Sequence, residues 1–212
     1  LFPLLRGEKR TCFAQTEPEA GSDPGAMKTR AVRHGDVWVI NGVKRFITGA
    51  QEADFMQLMA VTDPEKRQHG GVTCFLVDMD TPGVRIGRIQ ETVLGETLAE
   101  IVLEDVRVAG EQMVGKEGEG FRLGQRWLTL GRLRQAANVV GVAQRALAMT
   151  VVYAKQRVTF GKPLAERQAI QFMLVDSQME LDAARLMMYH CAALFDRGED
   201  VRYEAAMAKI FA

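Results

Sequence analysis

The chain has 212 residues, 47% of them hydrophobic, with 27 Lys plus Arg balanced by 27 Asp plus Glu. That content can bury one large core or two smaller ones, which excludes a disordered chain, and the balanced charge points to neither nucleic acid nor an acidic membrane surface. Cys12, Cys74 and Cys191 are odd in number without CxxC spacing and His34, His69 and His190 are scattered, so free thiols in a reducing compartment are expected and a metal site is not.

In chain order, residues 11 to about 112 fall into short, often β-branched runs broken by Gly, Pro and Asp, the pattern of antiparallel strands. Residues 37–40 and 43–48 flank Asn41-Gly42, which predicts a hairpin, because Asn-Gly tolerates the positive φ values of a two-residue turn. Further strands are expected at 55–61, 72–78, 84–89 and 100–108. Gly115, Gly118, Gly120 and Gly124 follow. Gly118-x-Gly120-x-x-Leu123 lacks the third glycine of a dinucleotide loop and no βαβ unit surrounds it, so these glycines read as a flexible lead-in to a helix.

Beyond Gly120 the apolar period becomes helical. Leu133, Ala136, Val140, Ala143, Leu147 and Val151 recur at steps of three or four and share one face of a long helix. A second helix is expected from near Glu166, with Leu174, Leu181, Met188 and Phe195 flanked by Ile170, Ser177, Ala184 and Cys191 as the seam of an antiparallel bundle. Asp196-Arg197-Gly198 ends it, and a third helix covers 203–212. No run of about eighteen apolar residues occurs, so no transmembrane helix is expected. The fold class is α+β: an antiparallel β domain, barrel- or sandwich-like, over residues 1–112, then an antiparallel helical bundle over 113–212. The chain starts without a methionine and stops inside an expected helix, as a fragment would.

Residues 13–23 read Phe-Ala-Gln-Thr-Glu-Pro-Glu-Ala-Gly-Ser-Asp. Small residues and free N–H groups at a turn make a nest for an anion, and a nearby hydroxyl adds a donor; the same residues are also ordinary turn chemistry. The run resembles the flavin-binding signature of the acyl-CoA dehydrogenase family. The resemblance extends over essentially the whole chain, as the family's middle β domain and the start of its C-terminal helical domain.

By that resemblance Phe13, Ala14, Gln15 and Thr16 form a strand along the isoalloxazine ring of FAD, with Thr16 on its pyrimidine edge. Gly21 and Ser22 turn beneath the pyrophosphate, and Ser22 also belongs with the substrate contacts. Arg45-Phe46-Ile47-Thr48-Gly49 is similar to the family's strand past flavin nitrogen 5, where Thr48 bonds that nitrogen, Ile47 lies beside it and Phe46 shields the ring edge in place of a common tryptophan. Arg157-Val158-Thr159-Phe160-Gly161 resembles a motif that reaches across a subunit interface to the adenosine end of a neighbour's flavin. There the Arg157 fork suits pyrophosphate and the Phe160 face suits adenine, with Thr159 and Gln168 close by. Taken alone, Arg157 reads as a cation complementing a helix C-terminus. Phe121 and Arg132 match positions that touch the thioester and the coenzyme A nucleotide, and Thr129 stands where an aspartate often holds the adenine.

The reaction implied by the resemblance is α,β-dehydrogenation of an acyl-CoA to the trans-2-enoyl-CoA, with electrons passed to an electron-transfer flavoprotein. The family's glutamate base lies beyond Ala212 in most members and, in a minority, at the position of Gly131. No catalytic base is therefore expected within these residues, and by themselves they should be inactive. The implied partners are acyl-CoA, electron-transfer flavoprotein and further copies in a homodimer or homotetramer, without nucleic acid or metal. The implied location is the cytoplasm of a bacterium, or the mitochondrial matrix or peroxisome of a eukaryote. Three rivals share these residues: an oxidase passing electrons to oxygen, a nitroalkane-oxidising relative with an aspartate base, and a flavin-fold scaffold without a base.

Overall fold

Apolar alternation with period two builds the first part of the molecule. The structure, a computed structural model, describes residues 2–93 and 95–212 and divides into two units, residues 1–124 and 125–212. In the first unit a helical turn α1 (Phe2–Leu5) precedes β1 (Thr11–Ala14), β2 (Arg30–His34), β3 (Val37–Thr48), β4 (Phe55–Val61), β5 (Val72–Asp78), β6 (Val84–Glu91), β7 (Thr97–Ala109) and β8 (Met113–Val114). These form an eight-stranded sheet in the order β6-β7-β3-β2-β4-β5-β8, with β1 paired to β4. The pairing is mainly antiparallel, but β1 and β2 both run parallel to β4.

The expected strands at 55–61 and 72–78 are present, and those at 84–89 and 100–108 are each longer by a few residues. Both faces of β4 and β5 are buried over residues 58–61 and 72–75, which is why these stretches are near-continuously apolar. Met56, Leu58, Phe75 and Val77 enter the main core with Ile40, Ile101, Leu103 and Trp38, whereas Met59, Val61, Val72 and Cys74 enter a second cluster with Phe13 and Phe121. Trp38 meets Phe75 edge to face at 5.5 Å, an arrangement that adds about 1 kcal/mol to the area buried. All three cysteines are free and buried, and burial pushes the Cys12 and Cys74 thiols up to about 11, which leaves them unreactive.

Asn41-Gly42 is not a hairpin turn. β3 runs straight through it as one strand of twelve residues, and the ladder to β7 shifts register between Ile40 and Gly42. A Cβ at Gly42 would lie 2.7 Å from Thr29 Cα, so the glycine serves a bulge and a close backbone approach. The turn is six residues earlier, at Gly35-Asp36 between His34 and Val37, with Gly35 at φ 62. Gly118 and Gly120 likewise mark tight packing, because added Cβ atoms would come within 2.3 Å of Gly70 O and 2.5 Å of Thr73 C. That replaces the flexible lead-in expected from sequence.

α2 (Gly120–Gln156) begins in the first unit and continues in the second, followed by the short strands β9 (Val158–Thr159) and β10 (Lys162–Pro163), then α3 (Gln168–Asp196) and α4 (Arg202–Phe211). Within the second unit Val140 and Leu147 of α2 meet Leu181 and Ala184 of α3, and Cys191 of α3 meets Val201 and Ala205 at the start of α4. Only part of the expected α3 seam is covered: Leu181, Ala184 and Cys191 are buried, while Ser177 and Phe195 are exposed. By length and a mean hydropathy of 1.2 over eighteen residues, α2 is apolar enough to cross a membrane. Asn138, Gln144 and Arg145 interrupt it, however, and a central arginine costs roughly 3 kcal/mol in a bilayer; its partnership with α3 is that of a bundle helix.

Candidate functional site

The first unit brings two of the sequence motifs together. β1 pairs in parallel with β4, Phe13 opposite Gln57, and alternation sends Cys12 and Ala14 into the main core and Phe13 to the other face. The strand ends at Ala14, so Gln15 and Thr16 lie just past it. There the Arg45 amide donates to Thr16 O at 2.8 Å, joining the 13–16 stretch to the end of β3 that carries Phe46, Ile47 and Thr48. Glu17 and Ala20 exchange backbone hydrogen bonds of 3.1 and 3.3 Å around Pro18-Glu19, a tight turn for which proline presets φ. Gly21 and Ser22 follow, exposed, and no group among the described residues accepts from their amides. Asp23 then caps the short helical turn Pro24–Ala26 through Gly25 N at 3.0 Å.

Between these stretches lies an ion pair. Lys44, with no exposed side-chain surface, donates to Glu17 Oε1 at 2.8 Å and to Gln15 O at 3.1 Å. Glu17 also accepts from the backbone amides of Lys28 at 2.6 Å and Thr29 at 3.0 Å. Burial pushes the Glu17 carboxyl up, but the Lys44 charge and these hydrogen bonds together outweigh it and hold the group below its ordinary value. Burial likewise pulls Lys44 down, against the opposing pull of Glu17, to about 8.

Immediately after Lys44, which pairs with Ile101, the β3–β7 ladder skips to Ile47 opposite Ala99. The bulge places Phe46 at φ 58, a left-handed conformation that costs about 1–2 kcal/mol for a residue with a Cβ. It turns the ring outward, 48% exposed, beneath the Arg45 guanidinium at 4.8 Å. Ile47 is buried in the main core and Ala14 is fully buried, so each can face a ligand only through its backbone. Thr48 is exposed opposite Leu98.

The third motif belongs to the second unit. Val158–Thr159 and Lys162–Pro163 pair around Phe160-Gly161, with φ 50 and 73, the double positive of a type I′ turn. A phenylalanine is a strained choice there, and its ring is 98% exposed. Arg167 secures the turn: Nη2 donates to Thr159 O at 2.5 Å and to Thr159 Oγ1 at 3.0 Å, and the guanidinium lies 5.8 Å from the Phe160 ring centre. Arg157 and Gln168 are exposed at the ends of α2 and α3.

The remaining sequence candidates are distributed along α2. Phe121 packs on the same cluster as Phe13. Thr129 is buried and its hydroxyl donates to Gln125 O at 3.0 Å, so that proton is already used within its own helix. Arg132 is half-buried. A Cβ at Gly131 would meet nothing within 4 Å. Among the described residues no group of three or more His, Cys, Asp or Glu could hold a metal. A groove of about 420 Å³ between Val140, Leu147, Met173, Leu181 and Phe211 contains none of the candidates.

Residues 12–106 match the acyl-CoA dehydrogenase middle domain and residues 118–212 the acyl-CoA dehydrogenase C-terminal domain. The chain is 41% identical to the caffeyl-CoA reductase-Etf complex subunit CarC of Acetobacterium woodii, over 100% of this chain and 56% of that protein. It is also 41% identical to the human mitochondrial short-chain specific acyl-CoA dehydrogenase, over 99% of this chain and 51% of that protein. Among solved structures, butyryl-CoA dehydrogenase from Megasphaera elsdenii aligns with a TM-score of 0.94 at 39% identity, and PigA with FAD and proline with 0.95 at 32%; each covers 99% of this chain and 55% of the other. The chain thus spans about half the length of the relatives it matches. With both domains matched in order and the fold shared throughout, it belongs to the acyl-CoA dehydrogenase family.

Proposed function

We propose that the protein binds FAD and catalyses α,β-dehydrogenation of an acyl-CoA thioester, passing electrons to an electron-transfer flavoprotein. The observation that carries this reading is the junction at Arg45 N–H and Thr16 O, which sets the 13–22 run beside the outward-turned Phe46 and Thr48. The residues present fit the cofactor: free amides at Gly21 and Ser22 suit a pyrophosphate, Phe46 and Thr48 offer a ring wall and a hydroxyl, and Phe160 offers an open aromatic face. The solved relative that holds FAD supports the same cofactor, and the Etf complex named for a second relative supports the electron acceptor.

In this reading residues to about 112 are the flavin- and acyl-CoA-binding middle domain and the rest begin the helical domain. FAD when bound supplies acceptance of a hydride. Around it Thr16 and Thr48 orient the ring, while Ala14 and Ile47 contribute backbone groups and anchor those positions in the core. Phe121 and Arg132 meet the acyl-CoA, and Arg132 carries the polar contact to its nucleotide because the Thr129 hydroxyl is engaged. Arg157, Thr159, Phe160 and Gln168 serve the adenosine end of a neighbouring subunit's cofactor, so the working unit is a homodimer or homotetramer. The base that takes the α-proton is a glutamate outside these residues. Gly131 leaves room for a side chain but supplies no carboxylate.

Purified full-length protein should be yellow, and anaerobic butyryl-CoA should bleach it. Protein that shows no flavin absorption and takes up no added FAD overturns the reading. Protein that binds FAD but is reduced by no acyl-CoA, and whose reduced form is oxidised by no enoyl-CoA, favours the scaffold instead.

A further inference from the structure

We propose that the buried Glu17–Lys44 pair is a positioning device for the flavin site, fixing residues 15–17 against the bulged end of β3. This rests on the FAD reading above. The pair reaches three places at once: Lys44 holds Gln15 O, and Glu17 holds the amides of Lys28 and Thr29 where the chain enters β2. Lys44 is also the last ladder-paired residue before the bulge that turns Phe46 outward. Displacing its side chain therefore moves both stretches proposed to border the ring.

Stability alone does not account for such a pair. Desolvating two charges offsets most of their attraction, and an apolar pair of similar volume often serves a fold equally well or better. What the charged pair adds is direction, through hydrogen bonds that specify where Gln15 and Glu17 sit. Among the described residues Glu17 is the one charged group facing Lys44. The Lys28 ammonium is turned outward onto Glu19, the Arg45 guanidinium lies over Phe46, and the β7 residue opposite Lys44 is Ile101.

Alkaline pH supplies a second handle. Burial has brought Lys44 down to about 8, and loss of its proton leaves Glu17 as an uncompensated negative charge beside the site of a polyanionic cofactor. Flavin retention should fall as the pH rises through that value. Fold stability should move the other way: between about 8 and the ordinary lysine value the unfolded chain binds more protons than the folded one, so this group's contribution to stability rises with pH.

The test uses full-length protein as wild type, Lys44→Met, Glu17→Gln and the double variant, with FAD affinity and thermal midpoint measured on each. The single variants should lose both. The double variant should regain the midpoint yet bind FAD roughly ten-fold or more weakly than wild type, the scale of a lost charge-assisted hydrogen bond. Recovery of FAD affinity together with the midpoint would overturn the inference by making the pair purely structural. A wild-type FAD affinity that stays flat from neutral pH through the Lys44 value also overturns it, and this arm requires no variant to fold. Wild-type protein that takes up no FAD sinks the FAD reading and this inference together.

Discussion

Phe46 and Phe160 share a left-handed backbone, at φ 58 and 50, and each lies beside an arginine, Arg45 or Arg167. Their supports differ. Phe46 sits in a bulge of β3 against the thirteen-residue strand β7, between a buried ion pair and buried Ile47, so its strain is held by the main core. Phe160 sits at the tip of a two-residue ladder, where Arg167 is the main side-chain tie. The same strained device is therefore tied to global stability in the β unit and to local stability in the helical unit.

The largest break in this comparison is Glu17→Ala, which strands Lys44 and should cost about 3–5 kcal/mol in urea unfolding. A loss below about 1 kcal/mol would show that the bulge is held by something else. The acid limb sharpens the same point. Because Glu17 is held below its ordinary value, its contribution is complete above the unfolded carboxylate pKa and is lost as the pH falls through the folded one; Glu17→Gln should flatten that limb.

Gly42→Ala comes next, at about 1–3 kcal/mol, because its methyl group meets the Thr29 backbone as well as the base of its side chain. Unchanged stability would mean that β2 can move away from β3 at no cost. Arg167→Ala should cost about 1 kcal/mol, discounted for partial exposure. It should appear as faster amide exchange confined to residues 158–163, and a fall in the global unfolding midpoint would erase the contrast between the two units. The smallest effect is Phe160→Gly, which relieves a left-handed residue and should stabilise the turn by up to about 1 kcal/mol while weakening FAD retention. A stable variant with unchanged FAD affinity would remove Phe160 from the cofactor.

Much of this was legible in the residues. Runs such as 55–61 and 72–78 are long and apolar enough to declare strands, and the change to a helical period beyond Gly120 marks the second unit's architecture. Arg30–His34 was not legible as a strand, because Arg-Ala-Val-Arg-His offers one buried side chain and mostly exposed polar ones. Asn41-Gly42 misled because a glycine that admits a turn also admits a bulge, and only the nearness of Thr29 separates the two. Glu17 and Lys44 carried no local signal: both residue types are normally exposed, and their pairing spans 27 positions. Arg167 was hidden for the same reason, since its value lies in a fork that closes back on Thr159. The three motifs were readable as strings, but the inward aim of Ala14 and Ile47 and the engaged Thr129 hydroxyl needed coordinates.

The central claim is a division of labour on one FAD, with the 13–22 and 46–48 stretches on the ring and the flavin side of the pyrophosphate and a neighbour's Arg157-to-Phe160 stretch on the adenosine side of the pyrophosphate and the adenine. The direct measurement is titration of full-length apoprotein, wild type and Arg157→Ala, with FAD and with FMN, which lacks the AMP half and so the adenosine-side phosphate. Arg157→Ala should weaken FAD roughly ten- to a hundred-fold, the scale of a lost charge-assisted contact, and leave FMN affinity unchanged. Equal losses for both flavins, or no loss for either, would contradict the account.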